Sequence, residues 1–167
     1  MTLREILRYL LLLFLYLALQ ILVLRNLVLF DYAFCFPYLA AVLLLPIESN
    51  RNTVLIVAFA TGFLVDIFYN TLGMHAAATV LAAYLRYYFL SFQIDFKNAD
   101  RLEISIRDMG IGSYLSYLYP LVLIHHSVLF FIEMSHFGMI LYTLLRIIAS
   151  SLFTTLIIVI IQLFSRR

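Results

Sequence analysis

Long apolar runs, broken at near-regular intervals by single charges, cover almost the whole chain. Residues 9–24 carry no charge between Arg8 and Arg25, and residues 32–47 carry none between Asp31 and Glu48. Residues 52–65 follow Arg51, and residues 67–85 lie between Asp66 and Arg86. Residues 109–132 separate Asp108 from Glu133, and residues 147–165 separate Arg146 from Arg166. The runs do not alternate apolar with polar positions, as strands of a membrane barrel do. Continuous apolarity suits helices, which satisfy their own backbone in lipid. A spanning helix needs about 20 residues, so the shorter runs borrow flanking residues whose charges lie at the interface or face protein. The pattern predicts an all-α, polytopic membrane protein. Its six spanning helices fall near residues 6–25, 28–47, 53–69, 72–90, 113–132 and 137–163 of a single domain, 1–167.

Composition agrees. Hydrophobic residues make up 65% of the chain and charged residues 12%, against roughly 45–50% apolar residues in a soluble domain. A soluble fold of 167 residues could not cover so much apolar surface. Lysine and arginine then set an orientation. With the N-terminus cytoplasmic, the inner side holds Arg4, Arg8, Arg51, Arg86, Lys97, Arg101, Arg107, Arg166 and Arg167, whereas the outer side holds Arg25. Arg146 lies within a helix. This bias predicts a multi-pass protein with both ends in the cytoplasm. It also accounts for the basic residues without a nucleic-acid role. The first apolar stretch lacks a small-residue cleavage site and is read as a retained helix. Cys35 is the single cysteine, which rules out an internal disulfide.

The cytoplasmic loop 91–112 carries Asp95, Lys97, Asp100, Arg101, Glu103, Arg107 and Asp108 among apolar residues. It is expected to be a solvated connector, or else to lie on the membrane surface or receive a cytoplasmic partner. Tyr87, Tyr88, Phe89 and Phe92, and further on Tyr114, Tyr117 and Tyr119, suit the headgroup zone. Pro120 is expected to kink the fifth helix.

The polar residues inside the spans are the candidates for function. Ala58, Gly62 and Asp66 recur every four residues, so they share one face of the third helix. A tight turn follows, with Gly73 and then His75, and Ala78 and Ala82 repeat the small-residue spacing on the fourth helix. Small residues let helix backbones approach closely in lipid. An intramembrane aspartate is costly and faces protein or water. Asp66 is therefore read as a buried polar clamp in preference to a proton-transfer site, with His75 or Arg146 as its expected partner. Thr143, Arg146, Ser150 and Thr154 form a polar stripe on the sixth helix, where Ser150 and Thr154 are expected to bond their own helix backbone. His125, His126, Glu133 and His136 match no tight metal spacing. No phosphate loop, nucleophile elbow or zinc-protease motif is present, so neither an enzyme nor a cofactor or metal site is expected.

Gly62-Phe-Leu-Val-Asp66, then Leu72-Gly73-Met-His75-Ala76 and an alanine-rich helix reaching Arg86, resembles the rod shape-determining MreD family. That family has a Gly-x-x-x-Asp, a Leu-Gly and a small-residue helix in chains of this length. The resemblance implies a non-enzymatic scaffold of the bacterial cell-elongation complex in the cytoplasmic membrane, organising peptidoglycan synthesis and cell shape. The implied partners are MreC, the MreB cytoskeleton, and the RodA and class B penicillin-binding protein pair. It also implies a fold similar to the substrate-binding subunits of energy-coupling-factor transporters. The rival reading follows from that fold: a vitamin-binding transporter subunit, with Asp31, Asp66, His75 and His126 lining a pocket. Helix-packing or partner contact is expected at Ala58, Gly62, Asp66, Gly73, His75 and Arg146, with the last two resting on physical argument alone.

Overall fold

Apolar stripes face outward on the long helices, and the polar positions turn inward. In the computed structural model, which describes residues 3–93, 103–134 and 139–164, Leu141, Leu145, Ile148, Leu152 and Leu156 are exposed along one face. Thr143, Ser150, Ser151 and Thr154 are buried on the other. Ile56, Phe59, Phe63 and Ile67 repeat the outward stripe on a second helix. A surface of this kind is covered by lipid in an all-α membrane protein.

The chain opens with α1 (Leu3–Ala18), which tightens through a π turn (Leu19–Val23) and a 3-10 turn (Leu24–Asn26). A minimal antiparallel hairpin follows, β1 (Val28–Leu29) and β2 (Ala33–Phe34), and then the short α2 (Tyr38–Leu43). The remaining elements are α3 (Arg51–Tyr69), α4 (Met74–Gln93), α5 (Ile106–Glu133) and α6 (Ile140–Phe164). Four helical stretches are long and apolar enough to cross a membrane: Leu3–Asn26, α3, α5 and α6. α4 has 20 residues and is not among these four; it buries His75, Thr79 and Arg86.

The expected second helix, 28–47, is not one. Phe30 and Asp31 both take left-handed backbone, φ 52° and 62°, and Tyr32 N–H donates to the Leu29 carbonyl at 3.1 Å. Two consecutive left-handed residues, closed by that bond, reverse the chain within the three-residue loop 30–32 that joins the strands. Pro37 then disfavours helix at Phe36 and starts α2, and Pro46 follows shortly after α2 ends. Every residue from Tyr38 to Leu43 is buried, so this segment's apolar run faces protein on all sides.

Non-helical backbone at membrane depth is tolerated only where protein satisfies it. Here the α1 run, α4, α5 and α6 each send polar side chains to do so. The Ser150 hydroxyl accepts from Phe34 N–H at 2.9 Å and donates to the Tyr32 carbonyl at 3.3 Å. Thr154 accepts from Phe36 N–H at 3.0 Å. The Gln20 amide donates to the Cys35 carbonyl at 3.1 Å, and the Tyr117 hydroxyl to the Leu43 carbonyl at 2.6 Å. Arg86 donates from Nε to the Leu43 carbonyl at 3.1 Å, and from Nη2 to the carbonyls of Leu45 and Pro46. Ser150 and Thr154 therefore bond a neighbouring segment, in place of the own-helix bonding expected of them. Thr154→Val should cost about 1–3 kcal/mol by stranding a buried N–H, whereas Thr154→Ser should cost less. Unfolding by titrated SDS in mixed micelles checks this; equal losses in the two variants would remove the hydroxyl from the account.

Two further differences follow from local backbone. The non-helical residue inside α5 is Gly110, at φ 75°, and not Pro120, around which the dihedrals stay helical. A left-handed position is open to glycine without steric cost. Of the loop 91–112, residues 94–102 lie outside the described residues, as do His136, Arg166 and Arg167 of the sequence reading. Arg8 pairs with Glu103 at 3.5 Å, which brings the start of α1 beside the entry to α5. Arg25 lies over the Tyr69 ring at 5.7 Å, which puts the end of the α1 run beside the α3–α4 turn.

Candidate functional site

The α3–α4 turn is built around Asp66. α3 ends at Asn70, a left-handed residue at φ 57°, and Gly73 at φ 81° turns the chain into α4. The first N–H groups of any helix lack intrahelical acceptors. Asp66 supplies them from the neighbouring helix. Its Oδ1 accepts from His75 N–H at 3.0 Å, its Oδ2 from Ala76 N–H at 2.9 Å, and Thr71 donates its hydroxyl to Oδ1 at 2.5 Å. A carboxylate at a helix N-terminus is also favoured by the helix dipole. Asp66 is thus a clamp, but its partners are two backbone N–H groups of α4 and the Thr71 hydroxyl.

Gly62, one turn earlier, lets this happen. It faces the backbone of His75 and Ala76. Ala58, a further turn back, is fully buried and shares a small apolar cluster with Val42, Val54 and Ala83. Ala58, Gly62 and Asp66 form one continuous face against α4, and Gly73 closes the turn above it.

The His75 imidazole turns away from Asp66 and into a second polar group. The Tyr38 hydroxyl lies 3.1 Å from His75 Nδ1, 3.0 Å from Thr79 Oγ1 and 2.8 Å from His125 Nε2. A tyrosine hydroxyl has one hydrogen to give and two lone pairs. All three contacts are satisfied when it donates to one partner and accepts from the other two. Thr79 gives its own hydrogen to the His75 carbonyl at 2.7 Å. His126 sits beside this set, held by the Val122 carbonyl at 2.8 Å and Thr154 at 3.1 Å. Phe36 packs against the rings of His75, His125 and His126. His125 Nδ1 is buried with no hydrogen-bond partner among the described residues.

Arg146 does not meet Asp66. It pairs with Glu133 at 3.1 Å and lies over the rings of Phe34 and Phe130 at 4.7 and 4.4 Å. The expected Asp66–Arg146 bridge is replaced by a link between the end of α5 and the start of α6. The adjacent histidines, in turn, point to different partners, as a helical step of about 100° requires.

Tyr38, Thr79, Gln20 and Arg86 were not singled out as polar contributors by the sequence reading. The signals existed: Thr79 is four residues after His75, and Gln20 is the single amide in the run 9–24. Gln20 also donates to the Tyr69 hydroxyl at 2.6 Å.

What the polar residues leave outside is apolar. An open groove of about 630 Å³ runs over the α3–α4 hairpin, with Phe59 and Phe63 as one wall and Gly73, Ala76 and Ala77 among its lining. The two phenyl rings are stacked at 5.8 Å.

Asp66→Asn places an amide N–H₂ where a carboxylate oxygen met a backbone N–H. We expect a loss of about 1–3 kcal/mol, with Asp66→Leu losing more; SDS titration of both variants gives the order. No protein-family model matches the chain, and neither a curated protein nor a solved structure with significant similarity to it is found.

Proposed function

We propose that this membrane-embedded protein is a non-enzymatic scaffold of the MreD type, set in a bacterial cytoplasmic membrane. It would hold an MreC-like single-span partner beside MreB, RodA and a class B penicillin-binding protein. Six crossings follow if the segment 35–47 counts as the second, with both ends cytoplasmic by the positive-inside rule. The observation that carries this reading is how the intramembrane polar groups are used. Asp66, Arg86, Ser150 and Thr154 hold backbone, and His75, His125 and His126 hold one another's neighbourhood through Tyr38, Thr79 and Thr154. A chain that uses its polar residues to fix its own shape offers partners an apolar surface of defined relief. The α3–α4 groove is such a surface, with small residues that let another helix approach closely.

The same engagement weighs against a vitamin-binding transporter subunit. Asp66 and His126 are closed by protein donors and acceptors, and Asp31 sits at the hairpin turn.

Affinity purification from native membranes in mild detergent, followed by mass spectrometry, tests the proposal. A coiled-coil single-span protein and cell-wall synthases are the expected companions. Ala77→Phe, at an exposed groove position, should remove the single-span protein while leaving the fold intact. A coupling subunit with ATPases would instead favour the transporter reading.

A further inference from the structure

The end of the bundle that carries Arg51 holds a second built feature, independent of the scaffold reading. A cavity of about 150 Å³ lies between α3, α4 and the chain entering α3, lined among others by Ser49, Arg51, Val54, Ala83, Arg86 and Tyr87. Two of these are guanidinium groups. Arg86 is only 4% exposed, and its hydrogen-bond acceptors are the carbonyls of Leu43, Leu45 and Pro46. Carbonyl dipoles satisfy its hydrogens but leave a full positive charge. Among the described residues neither Arg86 nor Arg51 forms an ion pair with a carboxylate, and Glu48, three residues before Arg51, reaches neither. A buried charge without a counter-ion is costly, which favours an anion beside this pair.

The surroundings indicate which anion. Arg51 lies over the ring of Tyr84 at 4.3 Å and of Tyr88 at 5.6 Å. With Tyr87 these residues make an aromatic collar of the kind that sits at headgroup level. Below the guanidinium pair the lining turns apolar through Val54 and Ala83. The volume is smaller than the roughly 300–1,000 Å³ of sites that enclose a whole drug-sized ligand. Charge above and apolar surface below match one end of an amphiphile.

We propose that this cavity binds the phosphate headgroup of an anionic membrane phospholipid. Arg51 contacts the phosphate from the solvent side, Arg86 holds it electrostatically from within, and an acyl chain follows the α3–α4 seam past Val54. Bound lipid would complete the charge balance of the segment that Arg86 clamps.

The test uses the full chain in mild detergent, titrated with an equal mixture of phosphatidylglycerol and phosphatidylcholine and read by native mass spectrometry. Phosphatidylglycerol should be retained in preference to phosphatidylcholine. Arg51→Gln, a change at an exposed residue, should weaken that retention about tenfold, the scale of one lost charge-assisted hydrogen bond. Arg4→Gln removes the same charge from the exposed start of α1 and should leave retention unchanged. Millimolar inorganic phosphate should not displace the lipid. Equal retention of both lipids, or equal loss in Arg4→Gln, would overturn the proposal. Displacement by inorganic phosphate would overturn it too, in favour of a soluble phosphate ligand.

Discussion

Gly62→Leu is expected to abolish accumulation of the folded protein, and Gly62→Ala to lower its stability by about 1–3 kcal/mol, the usual cost of overpacking. A Cβ at position 62 would lie 2.6 Å from Ala76 Cα, 2.7 Å from the His75 carbonyl oxygen and 2.8 Å from Ala76 N. All three are backbone atoms, so no rotamer change relieves the clash. The helices must part, and the Asp66 cap on α4 is lost with the contact. Leucine adds three more carbons to the same space. Yield in the membrane fraction and SDS titration of the purified protein measure both variants. Wild-type stability in Gly62→Ala would mean that α3 and α4 do not meet at this point.

Arg86→Leu should cost about 3–5 kcal/mol. Three carbonyls, of Leu43, Leu45 and Pro46, lose a charged donor at once, and each such bond contributes about 1.5–3 kcal/mol before the burial of Arg86 itself is discounted. The leucine recovers part of this by filling apolar space. Arg86→Lys should fall between the two, because an ammonium is a point donor and cannot span the fork of a guanidinium. If lysine restores full stability, the charge matters and the fork does not. If leucine is neutral, the segment after α2 does not depend on Arg86.

The long helices were legible because lipid demands length and apolarity, and both are written in the chain. The expected 53–69 is observed as Arg51–Tyr69, and the expected 137–163 as Ile140–Phe164. Residues 28–47 misled because a segment surrounded by protein is as uniformly apolar as one surrounded by lipid. The distinguishing marks were local: Pro37 and Pro46 leave room for only about two helical turns, and Phe30-Asp31 forms a hairpin turn without the usual glycine or asparagine. Asp66 was recognisable as a clamp from its cost in lipid and its spacing from Gly62. Its partners were not, since backbone N–H groups carry no sequence signature. The same holds for Ser150 and Thr154, whose stripe was visible but whose backbone N–H donors lie more than a hundred residues earlier in the chain. The Asp66–Arg146 pairing failed for a related reason. Position along the membrane normal is readable from sequence, but position around the bundle is not.

The central claim is that a non-helical segment runs through the protein interior, held by side chains from the surrounding helices. Cys35 lies within it, just before Pro37, and is the single cysteine of the chain. Labelling cysteine alone with ¹³C and recording the Cα chemical shift in lipid therefore reports one residue without ambiguity. The account predicts a shift outside the helical range, moving in Thr154→Val as the Phe36 N–H loses its acceptor. A helical shift at Cys35, unchanged in that variant, would contradict it and restore a continuous helix from 28 to 47.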